Sequence, residues 1–558
     1  MFNSKRALLY LIALSLVLLF TALHSFPLTD RDEGEYASCA LEMLKSKDFI
    51  VPKLNGRPYL EKPILFHWIV ASSFKIFGAN EFAARLPSAI SAFLIVIILS
   101  NFLQRYSKDE KIAIFSGLVL ITNPLFLIHA RACITDSVLT LFITSSLICL
   151  FCIFETTTDK KMFLWTLSSI FISLAFLTKG PISLAIFFPV LIIYGWIASN
   201  FKLFKPIYLI VFLLCFLTIN LPWHLLIYKR LGLEFFETFY FTQNFERFTK
   251  TLLGHGGGPF FYLFVIIVGL FPYAQFGIKE LIKNLKNKRA GFDLFCAISF
   301  LWIFFILSLS ATKQLNYILP ALPFFAVLTG KRLYNFSKIK RDKIEIIIFS
   351  FAAFLFFTIF LIPIFISDSL WQWILGLVRF DSTAYAFPQV MPNVTNWCII
   401  FIFLILFLVI HYLFTKNRFL LTAGALTFTF ILSSLFLPTL ANKIQGPAKY
   451  MAKKIYILKN RCHSTHKIKA TSFGLWKPSM IFYTQMTIKR FKVKHIKRLD
   501  NTLKENSPIF VFTRTRLLKK LTNESKEFMP IEIKDGYLLG GNRMARDLYR
   551  TLDNLGPL

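Results

Sequence analysis

Four acidic side chains lie within six positions of the chain, directly after the first apolar run: Asp30, Asp32, Glu33 and Glu35. A carboxylate at the rim of a membrane cavity can act as a general base, and Asp32 and Glu33 are the candidates for that role. The same residues would suit a helix over 33–46, with Asp32 as its N-cap and the following acids favoured by the helix dipole. That alternative does not explain why so much charge lies at membrane depth, where charge is costly.

A lysine follows at the start of a second apolar run. The sequence Glu61-Lys62-Pro63 precedes a helix-like stretch over 64–77, which is interrupted by polar residues and therefore predicts an interfacial helix rather than a span. Lys62 at its beginning could hold a phosphate, because its charge and the helix N-terminus act together. Snorkelling of Lys62 to the membrane surface explains its position equally well.

Other polar side chains recur at the ends of apolar runs. Asp136 has mainly apolar neighbours in sequence, so it is a candidate site residue, with a structural pair to Arg131 or a helix N-terminus as the alternative. The candidates that share this setting are Asp136, Lys179, Arg247, His255, Lys313 and Tyr317. Cations together with carboxylates at one membrane rim would suit an anionic lipid substrate, whose phosphate the cations hold while a carboxylate activates an acceptor.

The composition indicates which class of protein positions these residues. Of the 558 residues, 56% are hydrophobic and only 17% are charged, and the mean hydropathy is +0.59. This excludes a soluble globular enzyme and a disordered chain. The net charge of +33 comes from residues between apolar runs or in the C-terminal tail, which favours anionic lipid over nucleic acid as the partner.

Thirteen apolar runs are long enough to be candidates for crossing a membrane. The least certain are 163–178 and 181–198, because a single broken helix could replace them. The predicted spans are 7–27, 86–103, 112–130, 133–154, 163–178, 181–198, 207–228, 259–278, 292–310, 314–330, 344–366, 397–415 and 419–438.

The positive-inside rule orients these spans. With the N-terminus in the cytoplasm, the short Lys- and Arg-rich loops, such as 279–289 and 331–343, all lie on the cytoplasmic side. The first outer loop, 28–85, and the tail then lie on the opposite side. We predict a transmembrane domain over 1–440 and a basic periplasmic α/β domain over 441–558 in a bacterial inner membrane.

Metal and thiol chemistry are weakly indicated. Cys149 and Cys152 form a C-x-x-C within an apolar run, where small buried side chains are the simpler interpretation. Cys462, His463 and His466 have no matching second cluster, so a solvated loop is favoured over a zinc site. We expect no metal and no cofactor.

Six short motifs occur in order along residues 1–330, and all of them lie on one predicted face of the membrane. Together they resemble the polyprenyl-phosphate-dependent glycosyltransferases, which include the aminoarabinose transferase of lipid A and the protein mannosyltransferase superfamily. The motifs are Asp32-Glu33-x-x-Tyr36-Ala37, Glu61-Lys62-Pro63, Leu177-Thr178-Lys179-Gly180, Pro222-Trp223, Arg247-Phe248 with His255-x-x-x-Pro259-Phe260-Phe261-Tyr262, and Lys313-x-x-x-Tyr317-Ile318-Leu319-Pro320.

The resemblance implies a fold of the GT-C type, with interfacial helices in the first outer loop and a soluble outer domain. It implies sugar transfer from a polyprenyl monophosphate, with inversion at the anomeric carbon. By motif position, Asp32 corresponds to the catalytic aspartate, and Lys62, Arg247 and Tyr317 to residues that hold the donor phosphate. The remaining matched positions, Glu61, Asp136 and Lys179, correspond to polar residues of the same cavity.

One position departs from the family pattern. The aminoarabinose transferases carry Arg three residues after the catalytic Asp, whereas this chain has Glu35 there. A phosphate contact is therefore missing or moved, with Arg31 as the nearest replacement.

The expected partners are a polyprenyl-phosphate sugar donor, a glycolipid acceptor such as lipid A, and the bilayer, with the enzyme a monomer. A protein or a polysaccharide as acceptor stays open. A lipid-sugar flippase is the rival from another class, but it would need cavity charges that can be reached from both sides of the membrane.

Overall fold

The structure is a computed structural model of the chain. It describes residues 4–107, 109–156, 160–198, 205–251, 256–287, 289–336, 343–365, 387–415, 417–461 and 467–553.

Helices dominate the first 461 residues, because a chain in lipid must satisfy its backbone polar groups within each segment. As far as residue 334 the helices are α1 Ser4–Phe20, α2 Asp32–Ser46, α3 Leu65–Phe77, α4 Glu81–Ser107, α5 Glu110–Ile121, α6 Pro124–Ala130, α7 Thr135–Glu155, α8 Lys160–Lys179, α9 Ile182–Ile197, α10 Pro206–Leu231, α11 Glu234–Phe236, α12 Arg247–Thr249, α13 Phe261–Gly269, α14 Ala274–Asn287, α15 Phe292–Leu309 and α16 Leu322–Tyr334. They are followed by α17 Lys343–Phe365, α18 Phe387–Ile410, α19 Arg418–Ile431 and α20 Leu437–Arg461. Glu237–Glu246, His411–Thr415 and Leu432–Phe436 are π-helical, and Leu315–Ala321 is a 3₁₀-helix.

Eight helices among the described residues are long and apolar enough to cross a membrane, and nine if α5 and α6, bent by 67°, form one span. This establishes a multispan helical membrane protein. The other four predicted spans coincide with shorter or interrupted helices: 7–27 with α1, 181–198 with α9, 259–278 with α13 and α14, and 314–330 with the 3₁₀-helix and α16. The count of thirteen stays a prediction.

The segment 163–198 is a helical hairpin rather than one broken helix. Helix α8 ends at Lys179, Gly180 has a φ of +83°, and Pro181 immediately precedes α9, which is the usual chemistry of a helix stop and restart. At the far end of α9, Tyr194 packs against Phe154 in the last turn of α7, whereas Lys179 contacts the first turn of α7. Helices α8 and α9 are therefore antiparallel.

The first outer loop contains two helices joined by a short hairpin. Helices α2 and α3 occupy the two predicted helical segments to within one residue. Between them, β1 Lys53–Leu54 pairs antiparallel with β2 Arg57–Pro58. Asp32 is the first residue of α2, and its side chain does not cap the helix.

The C-terminal residues form a mixed sheet with helices on both faces. Its elements are β3 Lys469–Phe473, α21 Pro478–Thr484, β4 Ile488–Phe491, α22 Ile496–Leu503, β5 Ile509–Arg514, α23 Leu518–Glu524, β6 Met529–Lys534, β7 Tyr537–Gly541 and α24 Arg543–Asp553. The strand order is β4-β3-β5-β7-β6. Strands β4, β3 and β5 are parallel, and β7 is antiparallel to both β5 and β6.

The two faces of this sheet pack against different neighbours. One face, with Phe473 and Val511, packs on α22 in a small core of its own. The other face, with Phe512 and Leu539, lies in one continuous core with Tyr36 of α2. The tail is thus packed onto the first outer loop, and the predicted domain boundary at 440 falls inside the continuous helix α20.

Candidate functional site

Two cavities meet beside the start of α2. The first is apolar, has a volume of about 400 Å³, and lies between α9, α15 and the π-helical segment Glu237–Glu246. The second is small and polar and is lined by Asp32, Glu61 and Asp136. Four side chains line both cavities and form their common wall, which we call the junction: Lys62, Lys179, Arg247 and Tyr317.

Asp32 presents a free carboxylate to the polar cavity. Its side chain is exposed to that cavity, and no described residue donates a hydrogen bond to it. The surrounding protein desolvates the carboxylate and, with Asp136 nearby, raises the pKa of Asp32 above its usual value. The cations of the junction oppose this rise in pKa without cancelling it. An unpaired carboxylate with a raised pKa is a stronger base, as general base catalysis requires.

Glu33 lies in a different environment from Asp32. Arg85 Nε and Nη2 each donate to its carboxylate at 2.8 Å, as do the Thr29 amide at 2.8 Å, the Thr29 hydroxyl at 2.9 Å and the Cys133 amide at 2.8 Å. Burial opposes the charge, but Arg85 and these donors hold the pKa of Glu33 below its usual range. The structure does not bring Glu33 to the polar cavity, so its saturated carboxylate favours an anchoring role over the predicted catalytic one.

Lys179 is held at the junction by Asp136. Lys179 Nζ lies 2.5 Å from Asp136 Oδ1, and Asn316 Nδ2 donates to Asp136 Oδ2 at 2.9 Å. Lys179 Nζ also lies 4.4 Å from the ring centre of Tyr317. Asp136 is therefore paired with Lys179 and not with Arg131, whose guanidinium donates to the hydroxyls of Ser433 and Ser434.

Arg247 carries a buried donor for which the described residues offer no acceptor. Its Nε has no hydrogen-bond partner among the described residues. The segment around it is fixed by the strand-like stretch before the 3₁₀-helix, because the Thr312 amide donates to the Arg247 carbonyl at 3.2 Å and the Ala311 amide to that of Phe248 at 2.8 Å. A half-buried guanidinium whose buried Nε has an unmet donor is suited to a phosphate oxygen.

Lys62 completes the cluster of cations. Its Nζ donates to the Glu61 carbonyl at 3.1 Å. Burial, together with the charges of Arg247 and Lys179, lowers the pKa of Lys62 to about 8, although Glu61 and Asp32 oppose the shift. Three neighbouring cations at such a site favour a bound anion, which would restore the charge of Lys62.

Glu35 is the residue at which this chain departs from the pattern that the resemblance implies. Tyr59 donates to its carboxylate at 3.2 Å. Burial and the charges of Glu61 and Asp32 raise the pKa of Glu35 to about 8, so the group is mainly protonated at neutral pH. Arg31 is exposed and lines neither cavity, so the structure does not place it as a replacement phosphate contact.

Two predicted site residues are not placed at the cavities. Lys313 is buried and donates to the Ser310 carbonyl at 2.5 Å, and it lines neither cavity. His255 lies outside the described residues, as do Cys462, His463 and His466. In the described part of the chain, no three His, Cys, Asp or Glu side chains are grouped to hold a metal ion.

Sequence reasoning missed three residues that shape this site. Arg85 anchors the turn before α2, Asn316 orients Asp136, and Tyr59 binds Glu35. Asn316 lies one position before Tyr317, inside the motif Lys313-x-x-x-Tyr317, so its location was a usable signal. Arg85 was assigned to the end of the outer loop, and nothing in its sequence neighbours indicates a partner 52 residues away.

Comparisons with known proteins agree with this geometry. Residues 6–232 match the family described as dolichyl-phosphate-mannose-protein mannosyltransferase. An uncharacterized protein of Aquifex aeolicus is 30% identical over 88% of this chain and 89% of its own length. The undecaprenyl phosphate-alpha-4-amino-4-deoxy-L-arabinose arabinosyl transferase 2 of Proteus mirabilis is 28% identical over 57% of this chain and 59% of its own length.

The fold comparison agrees with these sequence matches. The crystal structure of ArnT from Cupriavidus metallidurans bound to undecaprenyl phosphate superposes with a TM-score of 0.78 at 18% identity, over 96% of this chain and 98% of that one. This match shows a GT-C membrane fold. The chain belongs to one family with the Aquifex aeolicus protein, and its matches to the mannosyltransferase model and to the aminoarabinose transferases indicate a glycosyltransferase. The resemblance inferred from the six motifs is thereby confirmed, as is the membrane fold. The chain spans less than two thirds of the length of the Proteus mirabilis transferase, so donor and acceptor belong to the proposal below.

Proposed function

We propose that this GT-C glycosyltransferase moves a sugar from a polyprenyl monophosphate to an acceptor at the outer face of the bacterial inner membrane. The observation that carries the proposal is the junction, at which one set of residues lines both an apolar and a polar cavity. A polyprenyl phosphate has the same division, with an apolar chain on one side of its phosphate and a polar sugar on the other.

The donor fits the two cavities in one orientation. The first isoprene units lie in the apolar cavity, and the phosphate lies at the junction. The guanidinium of Arg247 and the ammonium groups of Lys62 and Lys179 hold the phosphate oxygens, with Tyr317 beside them. The sugar then occupies the polar cavity next to Asp32.

The chemistry follows from that placement. An acceptor oxygen attacks the anomeric carbon from the face opposite the phosphate, the anomeric carbon–oxygen bond to phosphate breaks, and the configuration inverts. The junction cations stabilise the negative charge that develops on the departing polyprenyl phosphate. Asp32 takes the proton of an acceptor hydroxyl, or orients the acceptor when the attacking group is already an ionised phosphate. Asp136 acts indirectly, by holding Lys179.

The proposed acceptor is lipid A or a related phosphorylated glycolipid, and the proposed donor sugar is an aminoarabinose-like sugar. Support comes from the relatives named as aminoarabinose transferases. It also comes from the 25 Lys and Arg against 8 Asp and Glu over residues 439–558, because such charge favours an anionic glycolipid surface. We also propose that the N-terminus lies in the cytoplasm, that the C-terminal residues lie in the periplasm, and that the enzyme is a monomer.

A protein acceptor is the second candidate, because residues 6–232 match a protein mannosyltransferase family. Mass spectrometry of glycolipids and of secreted proteins from a deletion strain and its parent separates the two. We expect the glycolipid of the deletion strain to lose one sugar while protein glycans are unchanged. Unchanged glycolipid masses together with loss of a protein-linked sugar would reject the glycolipid acceptor.

A further inference from the structure

A buried ion pair joins the C-terminal sheet to the loop that carries Asp32. Lys477 Nζ lies 3.1 Å from Asp30 Oδ2, and the two side chains are 1% and 4% exposed. The amide of Ser479 donates to Asp30 Oδ1 at 2.9 Å, and its hydroxyl donates to Oδ2 at 2.9 Å. Within the described part of the chain, the hydrogen bonds to the Asp30 carboxylate all come from the tail, and Asp30 lies only two residues before Asp32.

Lys477 lies beyond the carboxyl end of β3, at a place where open α/β sheets usually bind ligands. Lys477 follows β3, and from β3 the chain reaches β4 on one side of the sheet and later β5 on the other. The crevice outside the carboxyl ends of two such strands is the usual ligand site of an open parallel sheet. Here Asp30 fills that place. Gln445 and Tyr537 also contact Lys477, with its Nζ 2.7 Å from Gln445 Oε1 and 5.4 Å from the ring centre of Tyr537.

Further contacts fix α2 and the residues before it against α21, the short helix that contains Ser479. Ser38 donates to the Pro478 carbonyl at 3.1 Å, and the Leu28 amide donates to the Tyr483 hydroxyl at 2.8 Å. Gly34 has no room for a side chain, because a Cβ there would lie 2.5 Å from the Ser479 amide nitrogen. The first turn of α2 is thus clamped on the side away from the polar cavity.

We propose that Asp30 and Lys477 are positioning residues for the transfer reaction, which hold the first turn of α2 so that Asp32 faces the polar cavity. This inference rests on the proposed function. It gives the tail a role in turnover, which is to hold Asp32 in place, in addition to attracting an anionic surface by its charge. A misplacement of about 1 Å in a catalytic group can cost about a hundredfold in rate, so a clamp this close to Asp32 is expected to control turnover.

The test uses the full-length enzyme and removes both charges together. A single substitution would leave an uncompensated buried charge and could prevent folding, whereas the double variant Asp30→Asn/Lys477→Met leaves none. The matched control is Lys454→Met/Glu532→Gln, which removes a partly buried pair within the tail, 3.6 Å apart, that lies outside both cavities.

Two measurements decide the outcome. The first is kcat and KM for a labelled polyprenyl-phosphate sugar. We expect kcat of the Asp30/Lys477 variant to fall by about tenfold or more, with an unchanged donor KM and a kcat close to wild type in the control. Equal kcat in the variant and the wild type would overturn the inference, whereas a wild type that transfers no sugar would reject the proposed function instead.

The second measurement does not depend on activity. Amide hydrogen exchange at residues 28–36 reports how firmly the loop is held. We expect faster exchange there in the Asp30/Lys477 variant than in the wild type or the control. Equal protection in all three proteins would overturn the clamp even if the acceptor chemistry were different from that proposed.

Discussion

At the scale of single residues, the carboxylates near the site differ in their hydrogen-bond partners. Asp32 has no donor among the described residues and faces a cavity, whereas Glu33, its neighbour, accepts five hydrogen bonds. Sequence alone could not distinguish them, because both lie in the same acidic run. The difference arises because Arg85 donates to Glu33 and not to Asp32. We infer that Asp32 acts on the acceptor and that Glu33 anchors the turn.

Arg247 is expected to bind the donor phosphate. Replacing Arg247 with Met removes charge-assisted hydrogen bonds worth about 1.5–3 kcal/mol, so the affinity for a polyprenyl monophosphate should fall by about 10- to 100-fold. Direct binding of the lipid to purified protein in detergent measures this. Arg230→Met, at the exposed end of α10, is the matched control. Equal affinities of the Arg247 variant and the wild type would show that Arg247 does not bind the donor phosphate.

The protonation of Asp32 should appear in the pH profile. Because the folded protein raises its pKa, activity should be full above that raised value and should be lost as pH falls through it. Lys179 opposes the rise, so Lys179→Met should move the acid limb of kcat/KM to higher pH. Lys75→Met, on the exposed end of α3, should leave the limb in place. A limb that stays fixed or moves to lower pH in Lys179→Met would contradict the assignment of Asp32 as the base.

At the scale of elements, local signals predicted the helices well and the breaks poorly. Helices α2 and α3 lie where the apolar periodicity placed them. The apolar run 259–278 divides into α13 and α14 around Gly269 and Pro272, a break signal that hydropathy does not register, since hydropathy measures composition and not direction. The hairpin at Gly180 was readable from its Gly-Pro pair, but only the contacts of Tyr194 and Lys179 establish that α8 and α9 are antiparallel.

The turn at Gly180 is expected to be essential for the donor site. A Cβ there would lie 2.5 Å from Phe239 Cζ, and Phe239 lines the apolar cavity on the segment that leads to Arg247. Gly180→Ala should therefore lower transfer by about tenfold or more. Gly232 also has a positive φ, but no atom of the described residues lies within 4 Å of a Cβ there, so Gly232→Ala should strain only the backbone and keep transfer near wild type. Equal losses in both variants would indicate backbone strain alone.

At the scale of the whole molecule, the site depends on one topology. Its residues come from α2, the segment before α3, α7, the end of α8 and the stretches around residues 247 and 317, and they meet around the polar cavity. Residues on opposite faces of a roughly 30 Å hydrocarbon core could not meet in this way. The positive-inside rule had already grouped them on one side, although it used only the basic loops. What it could not predict is the docking of the tail, because that depends on contacts such as Asp30 with Lys477.

Cysteine labelling with an impermeant reagent tests the topology. The background lacks the eight native cysteines, and single cysteines replace the exposed residues Lys47, Lys250, Lys492 and Lys286. We expect the first three to react from the periplasmic side and Lys286→Cys to react only after the membrane is made permeable. Labelling at 47 but not at 250 would place Asp32 and Arg247 on opposite faces and would reject the junction as a single site.

The most direct measurement is sugar transfer by purified Asp32→Asn, with donor binding measured on the same preparation. The proposed chemistry predicts that the variant binds the polyprenyl phosphate as tightly as the wild type and transfers labelled sugar about a hundredfold more slowly or worse. A folded Asp32→Asn enzyme with near-normal turnover would contradict the assignment of the base. A wild-type protein that moves the labelled lipid across liposomes without forming a glycosylated product would contradict the proposed transfer itself.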